Sequence, residues 1–395
     1  MITLNARLPT PPPPPEGIQV IEAVRNSCEE VRRRYNVQLN EADCDQFLRS
    51  IDPVNYQRLC NDRANGRRFP LQFSSPLDEL NVVCMLGLLN CLHAHRDFLR
   101  EKTGRGAWEV ASIFDIHFVG DFKVKPTVRY LVLGAYLGSS SILTTAGMLQ
   151  ATTSSLASLI SLPLHVERPM EPGSPITVGE PDKHAVELVE QLVQLLHSTA
   201  QVLQRESCPD LGSFVASHGL SGGDGDKLLR LLLKAFEGFR DMYILDGQPV
   251  YILKKALFLV ESISATFRDQ TGSKTIPIPK ISSPLPILAD NVVPTMLLHF
   301  KLLNLKDSPD PEISAIDLES PSSLKLSPRA ATILRASSVA CCQQLIQRAR
   351  AMAVDHEWLG SMTEDSLDSY LWAIAKDDAQ LRKLERVTEL GTVMY

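Results

Sequence analysis

Asp290 follows the apolar residues Ile287, Leu288 and Ala289 and stands at the start of a helical pattern. A carboxylate in apolar surroundings can balance positive charge that develops on a reacting molecule, or orient a water against it. The structural alternative is a helix N-cap, a position that favours Asp, and the two roles do not exclude each other. Asn291, next in the chain, is a candidate for binding polar groups of the same ligand.

A second acidic candidate, Asp241, follows Arg240 in Gly-Phe-Arg-Asp. Adjacent residues on a helix point in different directions, so a direct ion pair between these two does not follow from their proximity. Asp241 reads either as a contact for a polar ligand or as a turn residue ahead of a hairpin. Lys254 and Lys255 sit where an apolar strand gives way to an apolar helix. A compact ammonium suits a point contact with phosphate; the alternative is an ordinary solvated helix start. Arg240 is the other candidate phosphate contact.

Asp368, Tyr370 and Trp372 lie in Ser-Leu-Asp-Ser-Tyr-Leu-Trp. An aromatic pair two residues apart on a helix does not share a face. One ring at most is expected at a ligand, Tyr370, with Trp372 in the core. Arg105 and Trp108, in Thr-Gly-Arg-Gly-Ala-Trp, are read as a tight turn in which the arginine braces the loop. His93-Ala94-His95 lacks a third ligand nearby, so no metal site is expected. Ser139 to Ser141 has no Gly-x-Ser-x-Gly setting, and the glycines of 221–225 lack the Lys-Ser/Thr of a phosphate-binding loop.

The elements that position these residues read as helices. Ile21, Val24, Cys28 and Val31 recur at three and four. Glu41 to Ile51, Leu77 to Arg100 and Ala151 to Leu162 follow, with a core segment at Val128 to Leu137. Asp182 to Glu206 puts Leu188, Leu192, Leu195, Leu196, Thr199 and Leu203 on one face. Asp226 to Phe236, Lys254 to Phe267, Ala289 to Leu305, Arg329 to Val354 and Leu367 to Asp377 complete the helices. Asp246-Gly247 between two apolar runs predicts a β-hairpin. The Pro-rich stretches 163–181 and 277–286 read as connections, and 307–328 as a polar loop. The expected fold is mainly α, a helical array with one small hairpin. A disordered Pro-rich leader over 1–16 precedes a single unit over 17–395, with an inserted segment at 109–127.

The chain has 395 residues, 44% of them hydrophobic, and a formal net charge of −6. That balance argues against a domain gripping nucleic acid through a broad basic surface. Eight cysteines without a Cys-x-x-Cys pair fit reduced thiols rather than a disulfide framework. No apolar run is long enough to suggest a transmembrane helix. The expectation is a cytoplasmic monomer with no metal and no organic cofactor.

Several stretches resemble the queuosine salvage proteins, also described as queuosine 5′-phosphate N-glycosylase/hydrolases. They are Phe236 to Val260, FEGFRDMYILDGQPVYILKKALFLV, and Ile287 to Leu303, ILADNVVPTMLLHFKLL. FPLQFSSPLDELN at 69–81, TGRGAW at 103–108, PDLGSFV at 209–215 and LDSYLW at 367–372 add to these. The resemblance spans about residues 17–395 with gaps. It implies a helical fold related to helix–hairpin–helix DNA glycosylases. It also implies hydrolysis of queuosine 5′-monophosphate to queuine, reused for tRNA modification, and ribose 5-phosphate.

On that reading Asp290 is the catalytic carboxylate. Asp241, Arg240, Lys254, Lys255, Asn291, Asp368 and Tyr370 hold the nucleotide. A glycosidic bond breaks through an oxocarbenium-like sugar, which asks for a carboxylate near the anomeric carbon. Family members follow the Leu-Leu-Asn at 88–90 with an aromatic and glycines, whereas this chain has Cys91-Leu-His-Ala-His. The alternative is therefore a noncatalytic helical descendant that keeps ligand or partner binding.

Overall fold

The computed structural model describes residues 7–65, 73–103, 141–172, 175–270, 275–389 and 391–394. The core segment expected at 128–137, Arg105, Trp108 and the 109–127 insertion lie outside them. The described helices are α1 (Val20–Arg34), α2 (Glu41–Ser50), α3 (Pro53–Asn65), α4 (Pro76–Leu89), α5 (Arg96–Thr103), α6 (Thr145–Gln150), α7 (Thr153–Ile160), α8 (Lys183–Arg205), α9 (Gly225–Ala235), α10 (Lys254–Phe267), α11 (Val292–His299), α12 (Pro328–Ala351) and α13 (Glu364–Asp377). The mainly helical expectation holds. Small helical turns at Leu211–Phe214 and Pro311–Ser314, and a 3₁₀ turn at Pro321–Leu324, fill loops between them. The last two lie in the stretch expected to be a plain polar loop.

The apolar faces read from the sequence are the buried ones. Val20, Ile21, Val24, Cys28 and Val31 of α1 pack toward α12. Leu188, Leu192, Leu195, Leu196, Thr199 and Leu203 of α8 are all buried. Asp182 caps α8 through the Ala185 amide at 3.2 Å and also binds the Lys102 ammonium at 2.7 Å. α10 lies against α4, and α13 against α3 and α11, so the middle of α10 and both ends of the chain share one core.

Two expected helices are shorter than the pattern suggested. Leu77 to Arg100 is not one helix. α4 stops at Leu89, Asn90 leaves helical geometry (φ −73°, ψ 70°), and a 3₁₀ turn at His93–His95 leads into α5. Ala289 to Leu305 reduces to α11. Lys301 takes a positive φ of 58°, Leu302 donates back to the Leu297 carbonyl at 2.8 Å, and the chain turns out of the helix.

The hairpin at Asp246-Gly247 is present as β4 (Met242–Leu245) and β5 (Gln248–Tyr251). Both turn residues have positive φ, 48° and 78°, the geometry of a two-residue type I′ turn. It is not the single hairpin expected. β2 (His165–Pro169) pairs antiparallel with β3 (Thr177–Pro181) inside the Pro-rich connection. β1 (Gln38–Leu39) pairs antiparallel with β6 (Leu303–Asn304), where α11 ends. β2 and β3 are almost wholly exposed, so no alternation of apolar residues marked them.

The Pro-rich leader also departs from expectation where it is described. Residues 7–16 are not a free tail: the Ile244 amide donates to the Pro9 carbonyl at 2.7 Å, extending the hairpin's hydrogen bonding to the start of the chain.

Candidate active site

Asp241 is held from several sides. It follows a 3₁₀ turn at Glu237–Phe239, and its carbonyl accepts the amides of Ile252 (3.0 Å) and Leu253 (2.9 Å), closing the base of the hairpin. Its carboxylate is fully buried. Arg335 of α12 donates to both oxygens, at 2.9 and 2.7 Å. The Tyr243 hydroxyl donates at 3.0 Å and the Lys254 amide at 3.0 Å. A buried carboxylate costs several kcal/mol unless paired and hydrogen-bonded, and here four donors meet that condition. Arg240, as its position beside Asp241 suggested, turns elsewhere. Its guanidinium caps the end of α9 through the carbonyls of Leu233 and Lys234, both at 2.8 Å.

Arg335 joins the two strongest sequence blocks. While its two η nitrogens hold Asp241, its Nε donates to the Ala289 carbonyl at 2.9 Å. That peptide carries Asp290. The Asp290 side chain is fully buried, and Oδ1 accepts the Val292 amide at 2.6 Å. Asp290 thus stands one residue before the N-cap, Asn291, and its bond to the first helical amide holds a negative charge close to the start of α11, where the helix dipole favours it. Asn291 is buried beside it, and its carbonyl accepts the Thr295 hydroxyl at 2.6 Å.

Thr295 in turn accepts the Val387 amide at 3.1 Å, which brings in the C-terminal segment. There Arg386 is buried. Burial lowers its pKa to about 10, and the negative charge of Asp290 opposes that fall.

Lys254 and Lys255 are both buried, which overturns the reading of a solvated helix start. A cation at a helix N-terminus also opposes the dipole, so both need specific partners. The Lys254 ammonium donates to Asn90 Oδ1 at 2.7 Å and stands 5.9 Å from the Phe258 ring centre. Lys255 donates to the Val393 carbonyl at 2.9 Å. Burial lowers the Lys255 pKa to about 8. Leu253, immediately before them, adopts φ 58°, a conformation costing a branched residue about 1–2 kcal/mol. The bond from its amide to Asp241 holds it there.

Cys91 is buried, its thiol pKa raised by burial and drawn down by the charges of Lys255 and Lys254. His95 shares a 3.0 Å contact with His184 of α8, and burial pushes its pKa down to about 3. Among the described residues no group of three His, Cys, Asp or Glu side chains could hold a metal ion.

Asp241, Lys254, Lys255, Asp290 and Asn291 are therefore tied into one network, directly or through Arg335, Thr295 and the C-terminal segment. Arg240 lies beside it, lining with Tyr243, Glu389 and Thr392 a cavity of about 300 Å³. The other two candidates are on α13. Asp368 is buried on α13, which packs against α11. Tyr370 packs its ring 5.1 Å from Tyr56, which also meets Trp358 at 5.3 Å. Trp372 is in the core, as expected.

The residues not singled out from sequence are Arg335, Asn90, Tyr243 and Arg386. Arg335 had a signal: it is the one charged residue in the stretch Ala330 to Cys342.

No helix among the described residues is long and apolar enough to cross a membrane. Comparison with curated proteins yields no match. A family model described as queuosine salvage protein matches residues 176–395, more than half the chain and the part that holds Asp241, Lys254, Asp290 and Arg335. The chain belongs to the queuosine salvage protein family.

Proposed function

We propose that this protein hydrolyses the N-glycosidic bond of queuosine 5′-monophosphate, releasing queuine and ribose 5-phosphate. The observation that carries the reading is the fully buried Asp290 carboxylate, set at the start of α11 beside a peptide anchored by Arg335. Membership of the queuosine salvage protein family supports this choice of substrate.

As the C1′–N bond breaks, its electron pair leaves with the base, which takes up a proton. Positive charge spreads over C1′ and the ring oxygen. A carboxylate in a low-dielectric setting stabilises that charge far better than one in water. Asp290 also accepts a proton from the water whose oxygen bonds to C1′. The buried ammoniums of Lys254 and Lys255, with Arg240, supply cations for the 5′-phosphate. Asp241 and Asn291 offer polar contacts for base and ribose, and Asp368 and Tyr370 on α13 are the remaining proposed contacts.

The second reading, a noncatalytic descendant, draws on Cys91. A buried thiol stands there instead of an aromatic ring and offers a base no stacking face. The deciding experiment incubates purified protein with queuosine 5′-monophosphate and follows free base and ribose 5-phosphate by chromatography, beside Asp290→Asn. Release by the unmodified chain alone supports the glycosidase and its key residue. No release from folded protein, with phosphorylated or unphosphorylated nucleoside, favours the binding-only descendant.

A further inference from the structure

The start of the chain follows a period of three. Pro11 and Pro14, three apart, are the buried residues of this stretch, and Leu8 and Pro13 are partly buried. The acceptor carbonyls repeat on the same period. Pro9 accepts the Ile244 amide at 2.7 Å, Pro12 the Tyr251 hydroxyl at 3.2 Å, and Pro15 the Arg230 guanidinium at 3.3 Å. Arg230 also reaches the Pro14 carbonyl at 2.8 Å and the Ile18 carbonyl, and is itself held by Asp226 at 2.7 Å.

Three residues per turn, with carbonyls turned outward to other parts of the fold, is the pattern of a polyproline II helix; at its end the Pro15 carbonyl also accepts the Ile18 amide at 3.4 Å. One facet supplies packing and the next supplies acceptors. The receiving surface is ordered without the strap's help at two points: Arg230 by Asp226, and the Tyr251 backbone by the Ser27 hydroxyl at 3.1 Å. Four carbonyls over seven residues, those of Pro9, Pro12, Pro14 and Pro15, each meet a donor from α9, β4 or β5.

We propose that Arg230, Ile244 and Tyr251 form a polyproline-recognition groove. In the isolated chain it is occupied by residues 8–15; when that strap lets go, it accepts a proline-rich segment of the pattern Leu-x-x-Pro-x-x-Pro from a partner protein. Proline-rich ligands suit such a surface because their extended form is set in advance, at little entropic cost. The tether governs the exchange. A short linker holds its own ligand at an effective concentration on the order of millimolar, so a free peptide of micromolar intrinsic affinity is outcompeted about a thousandfold.

The test uses full-length protein and a fluorescein-labelled peptide with the sequence of Arg7 to Gly17, followed by fluorescence polarisation. In Pro11→Asp/Pro14→Asp the strap is released, and the peptide is expected to bind one to one, at least tenfold tighter than to the unmodified chain. The same peptide carrying the two aspartates should bind neither protein. If circular dichroism shows that this variant does not fold, the milder Pro11→Ala/Pro14→Ala replaces it, with the same ordering expected. A folded release variant that leaves the peptide free overturns the proposal, as does equal binding to the released and unmodified chains.

Discussion

Arg335 and Asp241, 94 residues apart, form a two-pronged ion pair inside the core, and the same guanidinium holds the Ala289 carbonyl. One arginine therefore fixes the base of the hairpin and the peptide that presents Asp290. Removing one member of a buried pair leaves an uncompensated charge and costs about 3–5 kcal/mol. Arg335→Met should lower unfolding free energy by that amount in urea titrations. Asp241→Asn in the same chain should restore part of the loss, because the stranded charge goes with it. An Arg335→Met protein as stable as the unmodified one would contradict the assigned role.

At Asp290 the hydrogen bond to the Val292 amide can be separated from the negative charge. Asn keeps an oxygen to accept the Val292 amide, so Asp290→Asn should stay within about 1 kcal/mol of the unmodified stability. Asp290→Ala loses the acceptor and should cost about 1–2 kcal/mol by the same measurement. On the proposed chemistry both lose turnover. Glycosidase assays and denaturation of the two variants side by side check this, and full activity in either would remove Asp290 from the mechanism.

Lys255 makes stability depend on alkaline pH. Its folded pKa is about 8 against an ordinary 10.5. Between those values the unfolded chain holds a proton that the folded chain has released, so stability rises with pH across this window. Below pH 8 both states are protonated and the folded state bears the full penalty of a buried ammonium, roughly 3 kcal/mol. Lys255→Met should flatten the rise between pH 8 and 10.5. Denaturant midpoints at several pH values would show it, and an unchanged slope would mean that Lys255 is not the group responsible.

Gly212 packs directly on Asn81. A Cβ at Gly212 would stand 2.5 Å from the Asn81 Cα and 2.6 Å from its nitrogen, and backbone cannot yield as a side-chain tip can. The same Asn81 side chain accepts the Gly212 amide at 3.1 Å and donates to the Leu143 carbonyl at 2.9 Å. Gly212→Ala should therefore cost about 2–3 kcal/mol, visible as a lowered urea midpoint. A neutral effect would mean that α4 and the 211–214 turn slide apart freely.

What the sequence made legible was local. The three-and-four spacing in α1 and α8 and the Asp-Gly turn each depend on a few adjacent residues. The partners did not show in it. Asn90 reads as the end of a helix, and only the fold brings it to Lys254. Two lysines opening a helix suggest solvent, since nothing nearby in sequence shows α4 and the C-terminal segment closing over them. β2 and β3 escaped notice because strands exposed on both faces carry no buried alternation. The leader's proline run was visible, but its donors lie more than two hundred residues away.

The packing of α1 on α12 has a temporal side. α1 spans residues 20–34, and its long partner ends at residue 351. Arg25 pairs with Glu364, and Tyr35 accepts from Arg329. At roughly 5–20 residues per second of synthesis, the apolar face of α1 waits about 15–60 s on the ribosome before its cover is made. The nascent chain thus carries a sticky first helix through most of its translation, and yield in the cell should respond to chaperone supply more than the finished protein's stability would suggest.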